Sequence, residues 1–288
     1  MGSIQMHRTV QIPTIDGISL EAWLYEVPGP APAIIMTHGL NCVKEMSLAE
    51  TAESSIGGSG GQPRNQIDPL QNAEDISDVV SYAAALSCVD ARRILLWGMS
   101  LGGTISGVAA GVDRRVRGVV MVCPIFSMVR PDKQRRPHAR PAVPAPGQRA
   151  LRHPALQQQG ENPIGYAGSG GRGGKEAYFL MSEGAKRGHP NFRDRITLQS
   201  YHKMALFRPR ENLVELLHEV PTMVMVPEQD DISPAAEQKA VFDILDTPKR
   251  LYWARGKGHM SILTGEGSVE IREAMLEFFD LALKGQIK

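Results

Sequence analysis

Residues 92–110 read RRILLWGMSLGGTISGVAA, and the interpretation of the whole chain starts from this stretch. The apolar run 94–97 is typical of a strand that is buried on both faces of a parallel sheet. Residues 98–102 then fit the pattern Gly-x-Ser-x-Gly, in which a strand turns sharply into a helix and exposes its serine. Only small flanking residues leave room for that turn. We therefore predict that Ser100 is a nucleophile, although the pentapeptide alone would also suit an ordinary glycine-rich turn.

The composition is ordinary for a globular protein. The chain has 288 residues, of which 42% are apolar and 22% are charged, and its length allows one or two domains. A net charge of +1 argues against nucleic acid as the main partner. No stretch approaches the roughly 18 apolar residues of a membrane helix, and the first residues do not form a secretory signal. The last three residues are not a Ser-Lys-Leu peroxisomal signal, so the cytoplasm is the default expectation.

The three cysteines form no recognisable site. Cys42, Cys88 and Cys123 are odd in number and widely spaced, unlike zinc or redox motifs. We expect them to be reduced, small core residues of an intracellular protein. The sequence predicts neither a metal nor a cofactor.

The remaining pattern predicts an α/β fold. Residues 4–12 and 18–25 alternate in polarity around a turn at 14–17, which indicates a β-hairpin anchored by Trp23 and Leu24. Apolar runs predict further strands, and apolar residues at three- and four-residue spacing predict helices. The predicted strands are 33–37, 94–97, 118–124, 220–226 and 249–254, and the helices are 45–54, 71–87, 175–187, 197–207, 234–245 and 266–284.

Two segments interrupt this pattern. A glycine-rich run at 56–61 follows the helix at 45–54 without the apolar strand that a doubly wound sheet requires there. Residues 130–159 contain six Arg, six Pro and one acidic residue, which predicts a solvated, disordered loop rather than core. We therefore divide the chain into an N-terminal core part (1–126), a lid insertion (127–210) and a C-terminal core part (211–288).

An acid and a histidine follow later strands. A serine hydroxyl needs a base to become nucleophilic, and the base needs an acid to orient it. His259 lies in a glycine-flanked loop after the last predicted strand and is the candidate base. Asp230 and Asp231 both follow the strand at 220–226, and we favour Asp230 because it lies four residues before Pro234.

The backbone completes the predicted site. With this elbow, one oxyanion-binding N–H comes from the residue after the nucleophile and another from the loop after an earlier strand. Leu101 and Leu40 occupy those two positions. His38, at the end of the same early strand, is expected to fix the loop by hydrogen bonding. Three other histidines do not directly follow a predicted strand and are expected to be structural or exposed. They are His189, His202 and His218.

Five segments together resemble the fungal polyketide transferase and thiohydrolase family of α/β-hydrolases. They are THGLNCVKE (37–45), QPRNQIDP (62–69), WGMSLGG (97–103), GHPNFR (188–193) and GKGH (256–259). The resemblance implies that an acyl group arrives as a thioester, often on a carrier domain of a polyketide synthase. It would be taken onto Ser100 and passed to water or an alcohol, as in secondary-metabolite and toxin pathways. The sequence is compatible with a homodimer but does not determine the oligomeric state.

This chain departs from that family at two places: residues 133–159 are rich in Arg, Pro and Gln where relatives have an ordinary lid sequence, and the segment before residue 55 is shorter. Relatives carry a longer segment, with an additional strand, between the helix at 45–54 and residues 55–57. One central strand is therefore expected to be missing, and each backbone group that this leaves buried and unpaired would cost about 1–3 kcal/mol. Three interpretations follow: a serine thiohydrolase or acyltransferase, a general carboxylesterase or peptidase of the same fold, or an inactive product of a damaged gene or gene model.

Overall fold

An antiparallel hairpin precedes a five-stranded parallel sheet in the part of the chain that the structure describes. This computed structural model describes residues 7–42, 66–128, 173–177, 179–180 and 196–288. The parallel strands lie side by side in the order in which they occur in the sequence. The hairpin consists of β1 (Arg8–Pro13) and β2 (Ser19–Leu24), and the sheet of β3 (Ala31–Thr37), β4 (Val89–Met99), β5 (Val116–Val122), β6 (Thr222–Pro227) and β7 (Lys249–Ala254).

The strands are apolar throughout because both faces of the sheet are covered. In β5, Val119 and Met121 pack into the core on one face, whereas Val120 and Val122 pack into the core on the other. All four side chains are fully buried. Each such burial contributes about 1.5–3 kcal/mol relative to an exposed side chain. This double burial explains why the strands have the continuous apolar runs of a parallel sheet.

Six helices have both of their ends within the described residues. The two longest, the one before β4 and the one at the end of the chain, match helices that apolar spacing predicts. The helices are α1 (Pro69–Ala84), α2 (Leu101–Val112), α3 (Leu198–Leu206), α4 (Pro209–Leu216), α5 (Ala235–Ile244) and α6 (Ser268–Leu283). Residues 173–177 and 179–180 are also helical. α1 and α2 pack on one face of the sheet, and α6 packs on the other.

Most predicted elements are confirmed, with three corrections. β4 begins at Val89, earlier than the apolar run at 94–97, because the charged residues before that run continue the strand outside the core. α4 was not predicted, since it is short and begins at a proline. The buried residues of the hairpin are Val10, Ile12 and Leu20. Leu24 packs against the same core but is only partly buried, and the partly buried Trp23 packs against His7 instead.

Several predictions lie outside the described residues. These are the helix at 45–54, the glycine-rich run at 56–61, the Arg/Pro-rich segment at 130–159, His189 and much of the helix at 175–187. Within the described part of the chain, no helix combines the length and the apolar character needed to cross a membrane.

The hairpin is attached to the rest of the protein through side chains. Among the described residues, β1 and β2 pair only with each other, and β3 pairs only with β4. The Ile15 N–H donates to Asp78 Oδ2 at 2.9 Å, and Gln71 Nε2 donates to Asp16 Oδ2 at 2.8 Å. The buried residues of the hairpin therefore provide most of its apolar attachment to the core.

We expect Ile12→Ala to lower the free energy of unfolding by about 2–5 kcal/mol, because it leaves a cavity where the hairpin meets the core. Ile15→Ala is the matched control, since Ile15 is 88% exposed in the adjacent turn. Its effect should stay within about 0.5 kcal/mol. Urea denaturation of both variants measures the difference, and equal losses would contradict side-chain anchoring of the hairpin.

Candidate active site

Ser100 lies in a strained backbone conformation between β4 and α2. Its φ is 58° and its ψ is −126°, a region that residues other than glycine seldom adopt. Such strain costs on the order of 1–3 kcal/mol and persists only where the surroundings enforce it. The Ser100 N–H donates to the Val122 carbonyl oxygen at 2.8 Å, which fixes the turn to the end of β5.

The glycines of the elbow are required by close backbone contacts. A Cβ atom added to Gly98 would lie 2.3 Å from the Gly102 carbonyl oxygen. One added to Gly102 would lie 2.2 Å from the carbonyl oxygen of His38, at the end of β3. The Thr37 hydroxyl also donates to the Gly102 carbonyl oxygen at 3.1 Å. These contacts set the start of α2 directly against the end of β3.

The structure brings together the serine, histidine and aspartate that the sequence singled out. Ser100 Oγ lies 2.9 Å from His259 Nε2, and His259 Nδ1 lies 2.8 Å from Asp230 Oδ2. The side chains of His259 and Asp230 are 2% and 0% exposed. An ionised carboxylate only accepts hydrogen bonds, so His259 Nδ1 donates to Asp230, and Nε2 of the neutral imidazole accepts a hydrogen bond from the Ser100 hydroxyl.

Asp230 is fixed by further donors around its carboxylate. The backbone N–H groups of Ile232 and Ser233 each donate to Oδ1 at 2.9 Å, and Gln238 Nε2 donates to Oδ2 at 3.0 Å. Asp231 does not contact the histidine in this way, and its Oδ1 accepts the N–H of Gly173 at 2.8 Å. Of the two adjacent aspartates, Asp230 is therefore the one that orients His259.

The pKa of His259 is raised above its ordinary value. Burial opposes the charged imidazolium, but the neighbouring Cys123 and Asp230 outweigh that effect. Burial raises the pKa of the Cys123 thiol, so this thiol is uncharged near neutral pH. The charge that favours the imidazolium form of His259 is therefore the Asp230 carboxylate. The site therefore stabilises His259 after it has accepted a proton.

Two cysteines lie near these residues. Cys123 Sγ is 3.9 Å from His259 Nε2, and the thiol donates to the His259 carbonyl oxygen at 3.5 Å. Cys42 lines the adjacent cavity, and burial raises its pKa to about 12. Both side chains are free thiols and stay protonated near neutral pH, so neither matches the reactivity of an activated cysteine.

One group among the described residues has the composition of a metal site. Ligand atoms of Cys123, Asp230 and His259 lie within 4.8 Å of one another. A metal ion there would need a deprotonated thiol and would compete with the Asp230–His259 hydrogen bond. The hydrogen-bonded serine, histidine and aspartate account for this cluster without a metal.

A mainly apolar cavity of about 330 Å³ opens beside Ser100 and His259. This size lies within the roughly 300–1,000 Å³ of small-molecule sites. Leu40 lines the cavity, and a Cβ on the preceding Gly39 would lie 3.2 Å from Ser100 Cβ, so this loop packs against the serine. The other apolar lining residues are Met99, Ile125, Phe179, Leu180, Ile232, Met260 and Leu263.

The other sequence candidates have separate positions. Leu101 is the first residue of α2 and is buried beside Ser100, and His38 lines the cavity. His202 and His218 are exposed, as expected. The sequence does not single out three other residues at the site, since none belongs to a local motif that points to it. Gln238 donates to Asp230, Cys123 lies beside His259, and Glu176 lines the cavity.

Comparison with known proteins gives consistent matches. A model described as the alpha/beta hydrolase family matches residues 51–270. A thiohydrolase from Eupenicillium brefeldianum is 37% identical over 97% of this chain and 95% of its own length. The polyketide transferase ATR5 from Stachybotrys chlorohalonatus is 31% identical over 98% and 99% of the two chains. The structure of DcsB in complex with its substrate analogue is 44% identical, with a TM-score of 0.85 over 97% of this chain and 100% of DcsB.

Proposed function

The chain belongs to the fungal polyketide transferase and thiohydrolase family of the α/β hydrolases, and on that premise we propose that it is a serine enzyme acting on acyl thioesters. The observation that carries this proposal is the hydrogen-bonded series from Ser100 through His259 to Asp230 at an apolar cavity. The names of the relatives support a polyketide acyl group in fungal secondary metabolism. A carrier domain of a polyketide synthase would present it.

The first half of the reaction forms an acyl-enzyme. The Ser100 hydroxyl gives its proton to His259 Nε2 while its oxygen attacks the thioester carbonyl carbon. The backbone N–H groups of Leu40 and Leu101 would hold the oxyanion, an interaction whose loss typically costs about 100- to 1,000-fold in turnover. The carbon–sulfur bond then breaks, and the proton on His259 passes to the departing thiolate.

The second half releases the acyl group. A water or alcohol gives its proton to His259 Nε2 and attacks the ester carbonyl carbon on Ser100. The second tetrahedral intermediate collapses, the proton returns to Ser100 Oγ, and a carboxylic acid or an ester leaves. The Asp230 carboxylate stabilises the imidazolium in both halves and keeps Nδ1 protonated.

We expect a fluorophosphonate probe to label Ser100, because the probe reacts only with a serine whose base is in place. Ser100→Ala and His259→Ala should abolish the adduct, located by mass spectrometry, whereas Ser19→Ala in the hairpin should keep it. Soluble protein that carries no adduct on Ser100 would refute the proposed nucleophile and favour the inactive product.

We expect the enzyme to cleave acyl thioesters with a preference for carrier-bound substrate. The same medium-length acyl group is offered in three forms: on a carrier domain, as an N-acetylcysteamine thioester and as a p-nitrophenyl ester. The products are identified by mass spectrometry. A free acid indicates water as acceptor, and an ester indicates an alcohol. Equal kcat/KM values for the p-nitrophenyl ester and the carrier-bound thioester would favour a general carboxylesterase instead.

We expect the rate of Ser100 labelling to rise with pH and to reach half its maximum above pH 6.5. The base must be neutral to accept the serine proton, and the raised pKa of His259 moves the neutral form to higher pH. In Asp230→Asn the carboxylate is lost, so the residual rate should be lower and its midpoint should fall. A wild-type midpoint at or below 6.5 would contradict a His259 base stabilised in this way.

A further inference from the structure

Glu176 accepts hydrogen bonds from the two residues that follow His259 in its loop. Its Oε2 accepts the backbone N–H of Met260 at 3.2 Å, and its Oε1 accepts the hydroxyl of Ser261 at 3.3 Å. The same hydroxyl oxygen accepts the N–H of Gly258 at 3.0 Å. One carboxylate, 84 and 85 positions away in the sequence, is thereby connected to the residues before and after the histidine.

Glu176 belongs to the helical turn 173–177, which is also attached to the residue next to Asp230. Gly173, three residues before Glu176, donates its N–H to Asp231 Oδ1 at 2.8 Å. A Cβ at Gly173 would lie 2.3 Å from this oxygen, so a larger residue there would displace the Asp231 side chain. Residues 173–177 therefore touch the immediate neighbour of Asp230 at one point and the immediate neighbour of His259 at another.

This turn also faces the cavity. Glu176, Phe179 and Leu180 are among the residues that line it, together with Ser100 and His259. The segment that covers part of the cavity is thus held by hydrogen bonds to the two loops that carry the acid and the base. Its position and the positions of those loops depend on each other.

We propose that Glu176 is a positioning residue that fixes the His259 loop relative to Ser100, with Asp231 as a second anchor for the same turn. This inference rests on the proposed function, since it concerns the efficiency of the same base. Hydrogen bonds from N–H and O–H groups to a carboxylate are stronger than those between neutral groups. Without them, the loop is released from the covering segment, and a misplacement of about 1 Å can cost roughly 100-fold in rate.

Two variants of Glu176 distinguish the loss of its hydrogen bonds from the loss of its charge. Glu176→Ala removes both acceptors, whereas Glu176→Gln keeps one oxygen for the Met260 N–H and can donate its amide to the Ser261 hydroxyl. Ser261→Ala removes the connection to Gly258. Lys175→Ala is the matched control, because Lys175 is exposed on the same turn.

The first measurement is the second-order rate of fluorophosphonate labelling at Ser100, normalised to the labelled fraction at completion. We expect Glu176→Ala to lower this rate by about 10- to 100-fold and Ser261→Ala by a smaller factor. Glu176→Gln and Lys175→Ala should stay within threefold of wild type. A residue needed only for stability would reduce the labelled fraction and leave the normalised rate unchanged. A Glu176→Ala rate within twofold of wild type would overturn the proposal.

A second measurement does not depend on activity. Hydrogen exchange of the peptide that contains Met260 should be faster in Glu176→Ala than in Glu176→Gln, because only the alanine variant frees the Met260 N–H. Unchanged exchange in the alanine variant would overturn the contact even if the labelling rate changed. If wild-type protein failed to label at all, the proposed function would fall, while exchange at Met260 would still decide whether Glu176 fixes the loop.

Discussion

The backbone of Ser100 is the constraint on which the rest of the site depends. At a φ of 58° the residue is stable only because the ends of β3, β4 and β5 and the first turn of α2 meet at contact distance. Cys123, directly after β5, and Asn41, in the loop after β3, also have positive φ values, and Glu219 has one before β6. The apolar packing of the sheet offsets the cost of the strain at Ser100.

The charged part of the site is built on the other half of the sheet. Asp230 follows β6 and His259 follows β7, and the carboxylate is buried because four donors surround it. A buried carboxylate without such partners would be strongly unfavourable. Ser233 adds a link between the halves, since its hydroxyl donates to the Pro124 carbonyl oxygen at 2.6 Å, beyond the end of β5. The nucleophile side and the acid–base side are therefore tied together by hydrogen bonds as well as by β5–β6 pairing.

The sequence predicts those structural features that depend on residues close to one another in the chain. Continuous apolar runs identified the strands, and the glycines around Ser100 identified the elbow, because both patterns reflect nearest-neighbour packing. The short α4 was missed since it has a single fully buried leucine, Leu213, and begins at Pro209. Gln238 and Glu176 could not have been singled out, because their partners are set by tertiary contact. Placing Asp230 rather than Asp231 beside the histidine relied on the distance to Pro234, whereas the structure distinguishes them by their hydrogen bonds.

The agreement between strand order and chain order bears on how the protein is made. From β4 to β7, each described strand pairs with the strand that precedes it in the sequence. As the chain emerges from the ribosome, β3, β4, the elbow and β5 can associate before the later half exists. The next pairing, between β5 and β6, must then span the 99 residues that lie between Val122 and Thr222. Closing a segment of that length is the slow, entropically costly contact in such a topology. Asp230 and His259 join only after it, so the appearance of a reactive serine during synthesis would report completion of the fold.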